Sequence, residues 1–156
     1  MTQRHWLVKS EPTEYAIDDL ARQPDQTDHW DGVRNFQARN FIRDQMQVGD
    51  GVLFYHSGSK PAVVGTAAVV RAGYPDHTAW DPRSKHFDAR STPQNPVWFM
   101  VDIRLATRFK RPVPLAELRR IPELAQMTLL RRGNRLSVMP VSAEEYAIIV
   151  AAGAPG

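Results

Sequence analysis

Proline and glycine interrupt this chain 12 and 9 times in 156 residues, which leaves room only for short elements between them. Proline fixes φ and lacks an amide donor, and glycine opens tight turns, so each marks a place where a helix or strand tends to stop. His5 to Ser10 reads as a strand ended by Glu11-Pro12, and residues 17–22 read as a short helix followed by a polar loop carrying Pro24. Asn35 is placed to cap a helix anchored by Phe36, Phe41, Ile42 and Met46, with Gly49-Asp50-Gly51 closing the unit in a turn. Residues 52–57 and 62–70 are β-rich and joined by Gly58-Ser59-Lys60-Pro61, a hairpin signature. The stretch from Tyr74 to Pro96 holds four prolines, is long for a plain loop, and predicts a functional flap or an embedded short element.

Period-two patterning returns at residues 97–105. Val97, Phe99, Val101, Ile103 and Leu105 share one face, while Trp98 and Met100 make the second face partly buried too. Pro112-Val113-Pro114 predicts the end of that strand, and one or two short helices follow around Pro122. Residues 136–141 read as a short strand, and Ser142 with Glu145 as the capping box of a last helix over 146–152, ended by Gly153. Strands and helices are interspersed without repeats. The expectation is one α+β domain over residues 1–156, built on a small curved sheet or barrel.

Composition narrows the function classes. Hydrophobic content of 42% and charged content of 24% argue against wholesale disorder. The absence of cysteine removes disulfides, thiolate metal sites and a cysteine nucleophile. No stretch approaches the roughly 18 apolar residues of a membrane span, and the first residues lack a signal-peptide core, so a soluble, cytoplasmic protein without membrane contact is expected, as a monomer. The net charge of +3 is unevenly spread. Glu11 to Asp31 carries seven acidic residues against Arg22, whereas Arg104 to Arg135 carries nine basic residues against Glu117 and Glu123. Such asymmetry fits a surface that meets a polyanion, although a solvated charged face would look the same.

Catalytic patterns are weak. The five histidines lack metal-ligand spacing, so no metal is expected, and no cofactor motif appears. His56 and Ser57 are adjacent on a strand and point to opposite faces, which excludes a nucleophile–base pair there. A non-enzymatic protein is the expectation.

The run Trp30-Asp31-Gly32-Val33-Arg34-Asn35-Phe36-Gln37-Ala38-Arg39-Asn40-Phe41 sets an aromatic ring, an amide and arginines at a helix entrance. A flat ring can stack on a base, an amide can read its edge, and arginines can hold phosphates. Taken with Lys9-Ser10-Glu11-Pro12, Gly49-Asp50, Phe54-Tyr55-His56-Ser57, Val64-Gly65, Tyr74-Pro75-Asp76 and Leu136-Ser137-Val138-Met139-Pro140-Val141, this run resembles the EVE domain family in order along nearly the whole chain. The resemblance implies a PUA-like mixed β pseudo-barrel surrounded by short helices, related to the YTH and ASCH domains. It also implies a binding module that holds a modified base, above all modified cytosine such as 5-methylcytosine, in a pocket on DNA or RNA. Phe36 stands where the family commonly has tyrosine, and Met139 where it commonly has glutamine.

On that basis Lys9, Ser10, Trp30, Val33, Asn35, His56, Ser57 and Ser137 are the expected base pocket, with Arg34 and Arg39 on phosphates. Trp30 also suits a core anchor, Asn35 a plain helix cap, and the two arginines an ordinary soluble surface. A base-processing hydrolase using Glu11 or Asp31 is an alternative, as is a module for a small nucleobase-like metabolite or a protein partner.

Overall fold

The computed structural model describes residues 3–153, so the ends of the expected 1–156 domain lie outside the described residues. In chain order the first elements are β1 (His5–Ser10), α1 (Ile17–Ala21), β2 (Thr27–His29), α2 (Phe36–Asp44) and β3 (Gly51–His56). They are followed by β4 (Ala62–Pro75), β5 (Phe99–Pro114), α3 (Leu115–Leu118), β6 (Val138–Val141) and α4 (Ala143–Gly153). The six strands form one mixed sheet in the order β2-β5-β4-β3-β1-β6. β1 lies parallel to β3, and the other neighbours are antiparallel. Register shifts at Phe54/Tyr55 and at several points between β4 and β5 act as bulges, which bend the sheet towards a barrel. This is the mixed α+β, PUA-like arrangement that was expected, with the sheet left open between β2 and β6.

Alternation along the inner strands explains why the sheet is buried on both sides. Trp6 and Val8 of β1 and Val52 and Phe54 of β3 join one core with Ile17 and Leu20 of α1 and Ala38 and Ile42 of α2. Leu7, Leu53 and Tyr55 point the other way and meet Val113, Leu118 of α3, Leu124, Met127 and Ile149 of α4. Asn35 caps α2 as its sequence position predicts, its Oδ1 accepting from the Ala38 amide at 2.9 Å. The Ser142–Glu145 capping box forms in both directions, at 2.9 and 3.0 Å.

Several boundaries differ from the expectation. β5 runs on through Pro112 and Pro114. The Leu115 amide donates to Pro61 O, so odd-numbered residues here face β4 while the two prolines turn towards the outer edge. β2 covers that edge only at residues 102–104, so the missing donors face no partner strand. β4 extends five residues past Val70, and α4 starts at Ala143. β2 itself lies where a polar loop was expected. Thr27, Asp28 and His29 carry no apolar residue, so no hydrophobic period announces a strand that is held by backbone pairing to β5 and by polar side-chain contacts.

Candidate functional site

The ends of β1 and β2 and the long segment after β4 converge on a cavity of about 430 Å³. Trp30 forms part of its wall. Its amide donates to Val101 O at 2.7 Å, continuing the line of β2 along β5. Its ring packs edge-on to Tyr15 and Phe54, with centroids 6.1 and 5.3 Å away, and only 7% of the residue is exposed. Trp30 is therefore a core residue that also lines the cavity. The other deeply buried tryptophans satisfy their indole N–H groups, Trp6 on Asp50 at 2.9 Å and Trp98 on Asp88 at 2.8 Å. Among the described residues the Trp30 indole N–H has no such acceptor.

Acceptors gather in the same cavity. Asp28 takes the Tyr15 hydroxyl at 2.7 Å and the His29 amide at 2.8 Å, and Glu11, Glu14 and Asp31 also line the cavity. Burial, with the hydrogen bond to Asp28 and its charge, pushes the Tyr15 hydroxyl far up, so it stays a donor at any ordinary pH. Lys9 and Lys85 add cationic donors to the same lining. Burial pulls the Lys9 ammonium down from its usual value. Lys85 reaches Glu14 at 3.2 Å, linking the long segment to the chain just after β1.

Asp76 holds the wall together. Fully buried, it accepts through Oδ2 from the Gly32 amide at 2.9 Å and Arg34 Nη1 at 3.0 Å, and through Oδ1 from the Thr78 amide at 2.9 Å and hydroxyl at 2.5 Å. Burial alone would raise its carboxyl. The bonds from Thr78, Gly32 and Arg34, with the Arg34 charge, outweigh that and hold it below the ordinary range. Gly32 sits at φ +79°, and a Cβ there would meet the His86 imidazole at 2.6 Å. Only glycine lets that ring close over the turn. Residues 76–98, the flap segment between β4 and β5, contain the embedded short element that was one expectation for the stretch 74–96, a 3₁₀ turn at His77–Trp80.

The structure brings Lys9, Ser10, Trp30, Val33 and Ser137 together around the cavity. It keeps Asn35, His56 and Ser57 out of its lining. His56 Nε2 accepts from the Ile17 amide at 3.1 Å at the start of α1, and burial pulls its pKa down, which favours the neutral acceptor. Ser57 is tied through its amide to Ser10 O at 2.9 Å. The Ser10 hydroxyl donates to Tyr15 O at 2.5 Å. Asn35 lines a separate cleft beside α2. The phosphate role expected of Arg34 and Arg39 conflicts with their geometry. Arg34 is engaged by Asp76, Val33 O and His86 O, and Arg39 donates to Val97 O at 2.7 Å and to Asn40 at 2.9 Å.

Sequence reasoning missed Tyr15, Asp28 and His86. A tyrosine and an aspartate thirteen residues apart give no spacing signal, and His86 arrives from the flap by tertiary folding. The charge asymmetry also softens, because Arg104 pairs with Asp25 at 2.5 Å, Arg108 with Asp18 at 2.9 Å, and Arg111 with Glu117. Among the described residues no three His, Asp or Glu side chains gather as a metal site, and no helix is long and apolar enough to cross a membrane.

A family model for the EVE domain matches residues 4–152. Human thymocyte nuclear protein 1 is 41% identical over 164 residues, covering 94% of this chain and 72% of that protein. Among solved structures, a hypothetical protein from Leishmania major is 47% identical with a TM-score of 0.91, over 97% of this chain and 95% of that one. The human THYN1 protein in complex with 5-methylcytosine containing DNA is 39% identical with a TM-score of 0.90, over 97% of this chain and 98% of that one.

Proposed function

The chain belongs to the EVE domain family, and from that premise we propose that it is a non-catalytic DNA-binding module which takes a flipped, modified cytosine into the cavity walled by Trp30. The observation that carries this reading is that one cavity is lined both by the buried Trp30 ring, whose indole N–H has no acceptor among the described residues, and by the Asp28 carboxylate, a donor and an acceptor in the same lining. Cytosine needs that set, because its exocyclic amine donates while N3 and O2 accept. The human THYN1 structure with 5-methylcytosine containing DNA supports the same ligand class.

The charge of the cavity supports a base over a phosphate as occupant. Glu11, Glu14, Asp28 and Asp31 outnumber Lys9 and Lys85, so a phosphate would be repelled while a neutral base would find partners. Base extrusion costs a few kcal/mol, and stacking returns about 1–3 kcal/mol per base. A buried methyl adds about 0.8 kcal/mol, which corresponds to roughly fourfold tighter binding from burial alone.

Anisotropy titrations with matched duplexes carrying cytosine or 5-methylcytosine test the reading, using wild type, Lys9→Met and Trp30→Phe. Trp30→Phe keeps an aromatic wall and removes the N–H, so the loss of one hydrogen bond should weaken binding by about two- to twelvefold. Equal affinity for both duplexes, unchanged in either variant, would refute it.

A further inference from the structure

The geometry points to the cleft lined by Arg131, Arg132 and Arg135 as the seat of the DNA phosphates, next to the base cavity and electrically opposite to it. Half of the sixteen arginines are already engaged by a carboxylate or a backbone carbonyl. Arg22, Arg34, Arg43, Arg90, Arg104, Arg108 and Arg111 each pair with a carboxylate, and Arg39 is tied to a backbone carbonyl. Arg131, Arg132 and Arg135 are exposed and have no ion pair or side-chain hydrogen bond among the described residues. They converge on a cleft of about 500 Å³ whose lining contains no Asp or Glu, whereas the base cavity contains four.

The loop that presents them is held in shape. The Asn134 amide donates to Arg131 O at 3.2 Å, and Asn134 Oδ1 accepts from the Leu136 amide at 3.2 Å. Across the cleft lie Asn35 and Gln37, at the start of α2. Asn35 caps the Ala38 amide and leaves other first-turn amides free to face an anion.

Two stretches of chain join the sites. Val33 lines the cavity and Asn35 the cleft, while Ser137 lines the cavity and Leu136 the cleft. Two residues of extended chain span at most about 7 Å, close to two 3.4 Å nucleotide rises along a strand. A base held at Trp30 therefore leaves its flanking phosphates within reach of the arginines. Charge segregation sorts the strand: the acidic cavity accepts the neutral base and the basic cleft accepts the backbone.

The inference rests on the base-pocket reading, and the two are separable by experiment. The triple variant Arg131→Gln, Arg132→Gln, Arg135→Gln is compared with a control triple, Lys110→Gln, Arg119→Gln, Arg120→Gln, which removes the same charge from other exposed positions. Both are titrated with cytosine and 5-methylcytosine duplexes from 50 to 200 mM salt. Three phosphate contacts contribute a slope of about −2.7 in log K against log salt, so the cleft variant should lose about fortyfold of the wild type's salt sensitivity over that range. The control should keep it. Preference for the methylated duplex should survive in the cleft variant, because phosphate contacts carry no base information. Equal effects of the two triples, or an unchanged slope in the cleft triple, would overturn the cleft while a surviving methyl preference leaves the base pocket standing. A flattened slope confined to the cleft triple, with no methyl preference in any protein, would support the cleft and overturn the base pocket.

Discussion

Replacing Asp76 by asparagine tests whether one buried carboxylate organises the wall of the cavity. Each carboxylate oxygen takes two donors: Oδ2 those of Gly32 and Arg34, and Oδ1 both from Thr78. Asparagine replaces one oxygen with an NH2 group. In either amide orientation two donors then confront a donor, and Arg34 loses its counter-charge in a site where Asp76 is fully buried. Losing two hydrogen bonds to a charged group, each worth about 1.5–3 kcal/mol, agrees with the 3–5 kcal/mol typical of breaking a buried pair. With a urea m-value of about 2 kcal/mol per M, the midpoint should fall by roughly 1.5–2.5 M. The acid limb supplies a second readout. A carboxyl held below its unfolded value stabilises fully above about pH 4 and loses that contribution as pH falls through the folded value, so the variant should show a flatter stability loss in acid. A midpoint shift under about 0.5 M with an unchanged acid limb would show that the flap and the Gly32 turn are held by something other than Asp76.

Asn35→Ala should destabilise by about 1 kcal/mol, or 2–4 °C in thermal melts, while Asn35→Asp should stay near wild type, since an aspartate also accepts from the Ala38 amide. Gly65→Ala places a Cβ against Thr107 O and the Ile17 side chain and should cost about 1–3 kcal/mol or more in urea unfolding, because two strand backbones must separate. Trp30→Ala should destabilise by about 3–5 kcal/mol by the same assay, reflecting its packing on Tyr15 and Phe54. His56 carries a lowered pKa from burial, so its contribution is complete above about pH 6.5 and is lost as pH falls through the folded value. Melts between about pH 7.5 and pH 5 should fall less steeply for His56→Gln than for wild type.

Much of the fold was legible because local chemistry decided it. Asn35 and Ser142 with Glu145 marked helix starts that do not depend on what packs around them. The Gly58–Pro61 turn and the period-two face at Val101 and Ile103 placed strands for the same reason. Punctuation misled at Pro112 and Pro114, where the cost of a proline depends on whether a neighbouring strand needs its amide. That is a property of the sheet. β2 shows the converse: Thr27, Asp28 and His29 become a strand because β5 offers an edge.

The site divides along the same line. By itself the sequence determined its chemical stock: the Trp30 ring, the Lys9-Ser10 strand end, Ser137, and the acidic and basic runs. Only the tertiary structure decided which of these face the cavity. It turned Arg34 and Arg39 inward onto Asp76 and backbone carbonyls, gave His56 to the Ile17 amide, and left the arginines of the 131–135 loop without carboxylate partners among the described residues. A side chain's charge is written in its residue type, but its availability depends on which donors and acceptors the fold brings within about 3 Å of it.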